Sequence, residues 1–104
     1  MQIDQAKIRR ESLRWLILLT LNNARPMGAQ ESPILAVAQS IYPDATALEM
    51  RRELDYLEDR ELVKITKSPS GPWYAELTRF GVDIAEYTID CEPGIARPAK
   101  YWAG

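Results

Sequence analysis

The residues in this chain best suited to chemistry are two adjacent arginines, Arg51 and Arg52, followed by Lys64 and Lys67. A guanidinium presents a planar fork of donors that matches a phosphate or the major-groove edge of guanine, whereas a lysine offers phosphate a point charge. Thr46 and Leu48 stand just ahead of the arginines. The first suits a helix start, and the second is an apolar group able to meet a thymine methyl or another protein. These six residues are the candidate contact set. Catalytic parts are missing: the chain has no histidine and one cysteine, Cys91, with no Gly-rich phosphate loop and no serine elbow. Neither an enzyme, a cofactor nor a metal site is therefore expected, and no internal disulfide can form.

The contact set needs a helix and a hairpin to position it, and residues 46–81 supply both. Thr46 followed three residues later by Glu49 reads as a capping box, with the Thr46 hydroxyl on the Glu49 N–H and the Glu49 carboxylate returning to the Thr46 N–H. Ala47, Met50, Leu54 and Leu57 then form an apolar stripe. Leu48, Arg51, Arg52 and Asp55 lie opposite it. After Arg60 the period changes to two: Val63 and Ile65 share a face, as do Trp73, Ala75 and Leu77. Ser68-Pro69-Ser70-Gly71 between them has the residues of a tight turn, and Trp73 is expected to lie buried under the hairpin. Thr78 is read as the cap of a last helix reaching about Ile89, with Val82, Ala85 and Ile89 inward and Gly81 permitting close approach to a neighbour.

Upstream, residues 4–23 read as a first helix with two apolar stripes, one through Ile8, Ser12, Trp15, Leu16 and Leu19 and one through Leu13, Ile17 and Leu21. Such a helix must be covered on two sides, by its own chain alone or by its own chain and a second subunit. A second helix is placed after Ser32 as N-cap and Pro33 as first helical residue, ending at Pro43, so that a short turn joins it to the third. The fold class is thus mainly α with a small β-hairpin: a winged helix-turn-helix of three helices, a two-stranded wing and a C-terminal helix. Residues 1–90 would form the domain and 91–104 an irregular tail, whose Tyr101 and Trp102 suggest docking.

With 104 residues the chain makes one domain, and its net charge of −2 gives no general attraction for a polyanion. Contact with nucleic acid must come from a local patch. Between Thr46 and Glu61 the carboxylates of Glu49, Glu53, Asp55, Glu58, Asp59 and Glu61 outnumber Arg51, Arg52 and Arg60. Two uses of Arg51 and Arg52 stay open: contact with DNA, or ion pairs with Glu49, Asp55 or Glu58 on a solvated helix face. Leu48 is likewise open, exposed at the front of the helix or packed on the second helix. No apolar run is long enough for a membrane span and the N-terminus lacks the apolar centre of a secretory signal, so a cytoplasmic protein is expected.

The run from Asp44 to Ile65 resembles the recognition helix and first wing strand of arsenic-repressor-like bacterial winged-helix regulators, with Thr46, Met50, Leu54, Leu57, Leu62 and Val63 at the matching places. Glu61 stands where those families usually have Gly, so either a left-handed helix stop there costs about 1 kcal/mol more or the exit from the helix differs. Their metal-sensing cysteines and histidines are missing. Over nearly its whole length the chain is similar to small proteins encoded by Mu-like phages and prophages, through R-x-E-L-x-Y-L-E-x-x-x-L-V at Arg51–Val63, W-x-A-x-L-T-x-x-G at Trp73–Gly81 and P-G-I-x-R-P at Pro93–Pro98. That likeness implies a phage context, a bacterial host cell and a winged helix, and supplies no site residues. The leading expectation is a phage-derived regulator binding double-stranded DNA as a homodimer, paired through helix one and the C-terminal region. The alternative is a winged-helix module that docks on a protein without binding DNA.

Overall fold

The computed structural model describes residues 3–100, which form four helices and a small antiparallel sheet. In chain order these are α1 (Gln5–Ala24), β1 (Ala29–Gln30), α2 (Glu31–Gln39), α3 (Ala47–Asp59), β2 (Val63–Lys67), β3 (Trp73–Leu77) and α4 (Arg79–Ala85). The fold is mostly α. The hairpin expected from the alternating pattern is present, but the sheet has three strands rather than two, in the order β1-β3-β2. β1 pairs antiparallel with β3 through Ala29 with Ala75 and Gln30 with Tyr74. Two residues are too few to carry a period, so the strand leaves no pattern in the sequence.

The helix ends follow local chemistry. The Thr46 hydroxyl accepts the Glu49 N–H at 3.2 Å and the Thr78 hydroxyl accepts the Gly81 N–H at 3.0 Å, as their caps require. Glu49 does not complete a capping box, because its carboxylate is taken by Arg9. Ser32 is not a cap: α2 starts at Glu31, with Gln30 in the N-cap position and no side-chain bond there. Pro33 then falls in the first turn, where its missing N–H still has no intrahelical partner to lose. α3 stops as expected of a left-handed exit, with Glu61 at φ 65°. The Leu62 N–H reaches the Leu57 carbonyl and the Glu61 N–H the Glu58 carbonyl, each at 2.9 Å, a Schellman closure. α4 ends at Ala85, short of Ile89, with the same closure through Tyr87 at φ 63°.

The core lies where α1, α3, α4 and the sheet converge. Leu13, Leu18, Leu21, Met50, Leu54 and Leu57 are entirely removed from water. Each such side chain contributes roughly 1.5–3 kcal/mol through burial. Ala47, expected on that stripe, is exposed, and Glu53 is buried in its place. On α1, Ile8 is exposed, while Leu16 and Leu19 are half-buried against the core. α1 packs on α2, α3, α4 and β3, so its own chain covers much of both stripes. On α4 the inward residues are Gly81, Ile84 and Ala85, with Val82 half-buried. A Cβ on Gly81 would come within 2.1 Å of the Leu62 carbonyl oxygen, the close approach its position implied.

Residues 91–100 lie against the domain without forming a helix or strand. Ile95 is buried, the Ala96 N–H donates to the Glu11 carbonyl at 3.1 Å, and Arg97 donates to the carbonyls of Ile84 and Ile89. Gly94 has φ 110°, and a Cβ there would strike the Tyr56 hydroxyl. The expected docking of Tyr101 and Trp102 lies outside the described residues.

Candidate nucleic-acid interface

α3 sits between α1 on one flank and α2 with the hairpin on the other, so its side chains sort by helical angle. Met50, Glu53, Leu54 and Leu57 point inward. Leu48, Arg52, Asp55 and Asp59 form the outward ridge, all exposed. The Glu58 carboxylate accepts the Ile65 N–H at 2.9 Å, which fixes the hairpin to the last turn of α3.

Arg51 leaves that ridge toward α2. It makes a forked pair with Glu31, its Nε at 2.7 Å from one oxygen and Nη2 on the other, and its guanidinium lies 4.7 Å from the Trp73 ring centroid. Glu31 also accepts the Trp73 N–H at 3.0 Å. Arg51 first, then the Trp73 N–H, hold the Glu31 carboxyl below the usual carboxylate range against the opposing effect of burial, and Glu31 raises Arg51 in return. From the hairpin, Lys67 reaches Asp55 at 3.1 Å and lies 4.4 Å from the same ring. Trp73 is therefore half-buried between two cations, not sealed under the hairpin as its parity with Ala75 implied. None of the carboxylates proposed for Arg51 from its own helix is its partner.

A second group gathers where the N-terminal halves of α1 and α3 meet. Thr46, Leu48 and Arg52 join Ala6 and Arg10 around an open groove of about 390 Å³. Leu48 is 61% exposed and lines the groove. Arg52 and Arg10 make no ion pair or hydrogen bond among the described residues. The groove's acids are already engaged: Arg9 binds both oxygens of Glu49, at 2.7 and 2.8 Å, and also reaches Asp44, outside the lining, at 2.9 Å. Arg14 binds Glu53 at 2.7 Å below the surface. The hydrogen bonds from Arg9 lower Asp44 from its ordinary value, and the two carboxylates hold Arg9 more firmly charged.

Lys64 belongs to neither group. Opposite in parity to buried Val63, it pairs in register with Glu76 on the solvent side of the sheet. The six candidates thus divide three ways: Thr46, Leu48 and Arg52 at the groove, Arg51 and Lys67 on Trp73, and Lys64 alone. Two further residues belong to these groups without a clear sign in the sequence: Glu31, next to Ser32 with its cap-like side chain, and Arg10, whose position on α1 does not reveal that it faces α3. An acidic residue just before Ser-Pro was the available signal for Glu31, since a carboxylate in a first helical turn is favoured by the helix dipole.

Among the described residues no group of His, Cys, Asp and Glu is arranged to hold a metal ion, and no helix is long and apolar enough to cross a membrane. No family model, curated protein or solved structure matches the chain.

Proposed function

We propose that the chain is a winged helix-turn-helix protein of phage origin that binds double-stranded DNA, with α3 as the recognition helix, and that such binding serves transcriptional regulation. The observation that carries this reading is the unblocked start of the outward ridge, where Leu48 and Arg52 stand exposed on the first two turns of α3. In a helix-turn-helix the N-terminal residues of the second helix reach base edges, so an arginine at that place is positioned to fork onto guanine. Base contact falls to Arg52 rather than Arg51, because Glu31 already satisfies the Arg51 fork. Lys67 can meet phosphate only by leaving Asp55. Two copies would read two half-sites roughly one helical turn apart, and Ile3, Ile8 and Phe80 are exposed apolar residues available for pairing.

Arg52→Ala should weaken specific binding by about 1–3 kcal/mol, and Arg51→Ala by less. Fluorescence anisotropy on a selected duplex measures both. A larger loss from Arg51 than from Arg52 would overturn the assignment of base contact to Arg52.

Protein docking is the second reading, favoured by the other half of the ridge. Asp55 and Asp59 continue it with negative charge, and Val37 and Ile41 add exposed apolar surface on α2. Phosphate repels the first and has no use for the second.

A further inference from the structure

We propose that the groove between α1 and α3 seats the sugar-phosphate backbone of one DNA strand, with Arg10 as a phosphate-binding residue. This rests on the DNA-binding reading above and extends the interface from α3 to α1. The groove has a volume of about 390 Å³ and is open to solvent, so an extended strand has access to the arginines that line it.

Its charge is opposite to that of the molecule. Three arginines, Arg9, Arg10 and Arg52, line it against two carboxylates, Glu49 and Glu53, whereas the whole chain carries −2. Both carboxylates already accept hydrogen bonds from Arg9 and Arg14, which leaves the charges of Arg10 and Arg52 to act on whatever enters. Those two arginines come from different helices and face one space, so Arg10 can hold the backbone of the strand whose bases Arg52 reaches. A phosphodiester, with one full charge and two free oxygens, matches an exposed guanidinium, and successive phosphates along a strand suit cations spread over two elements.

The geometry also divides the labour. Arg52, on the outward ridge, points where base edges lie when α3 occupies the major groove, while Arg10, on α1, flanks the helix at the level of the strand beside it. Contact with phosphate carries no sequence information, so the two arginines should differ in what their loss does.

Arg10→Ala, Arg10→Lys and Arg52→Ala are titrated with the selected duplex and with scrambled duplexes over a range of salt concentrations. Arg10 is exposed and without a partner among the described residues, so thermal unfolding should match the wild type. Arg10→Ala should weaken binding to all duplexes by a similar factor and reduce the slope of log affinity against log salt by about 1, while Arg10→Lys keeps most of the slope. Wild-type affinity and slope in Arg10→Ala, with Arg52→Ala impaired, would overturn the groove assignment and leave the DNA reading standing. Absence of duplex binding by folded wild-type protein would overturn both.

Discussion

Glu31 is the residue on which the face between α2, α3 and the hairpin depends. Its two oxygens take the Arg51 fork and the Trp73 N–H, and so join the first turn of α2 to the middle of α3 and the start of β3. The partnership spans 20 residues, whereas spacing rules apply only to partners on the same helix. Long-range pairs of this kind have no period to betray them. Glu31→Gln should lower stability at pH 7 by about 1 kcal/mol, since it weakens a charge-assisted fork that is only partly screened by solvent. The pH dependence has a fixed sign. Arg51 holds the Glu31 carboxyl below its ordinary value of 4.5, so its stabilisation is complete above about that pH and fades as acid protonates the folded state. Thermal unfolding of the two proteins should therefore converge below pH 4.5, and parallel curves from pH 7 to pH 3 would contradict the role given to Glu31.

At the scale of elements, the segments with their own cap, period and stop were legible: α3 from Thr46, the hairpin from its alternation and the start of α4 from Thr78. What could not be read depended on neighbours. β1 exists because β3 offers an edge, and α2 starts at Glu31, whose carboxylate accepts from Arg51 and from the Trp73 N–H. The site was half legible for the same reason: the pattern placed Leu48 and Arg52 on the outward face of α3, but which arginine is free was decided by α2. The stops of α3 and α4 both place a non-glycine residue in the left-handed region, yet they are not equivalent. The Tyr87 ring stands 5.9 Å from Trp15, carries Arg97 above it and donates its hydroxyl to the Pro98 carbonyl. The Glu61 side chain is exposed and has no such contacts among the described residues, although its carbonyl accepts the Thr78 hydroxyl at 2.7 Å. Glu61→Gly should accordingly raise stability by up to about 1 kcal/mol, read as an upward shift of the denaturation midpoint at unchanged slope. Destabilisation would mean that the Glu61 side chain supports the fold in a way its exposure does not suggest.

Across the whole molecule, charge is sorted rather than abundant. Cations are paired on Trp73; at the α1–α3 groove Arg9 is paired while Arg10 and Arg52 have no ion pair among the described residues, and Asp55 and Asp59 share the ridge with Arg52. Binding should then be modest and fall steeply with salt, because few phosphates can be neutralised. The helix-one surface that suggested a second subunit is largely covered by the chain itself. The central proposal is that α3 enters the DNA major groove, and the direct measurement is selection from a random duplex pool by the folded protein at about 50 mM salt. Enrichment of a defined sequence, with retention lost as salt is raised, is the expected result. No retention of any duplex by protein whose unfolding transition remains cooperative would contradict it, and would leave Leu48, Val37 and Ile41 as the surface to test for protein docking.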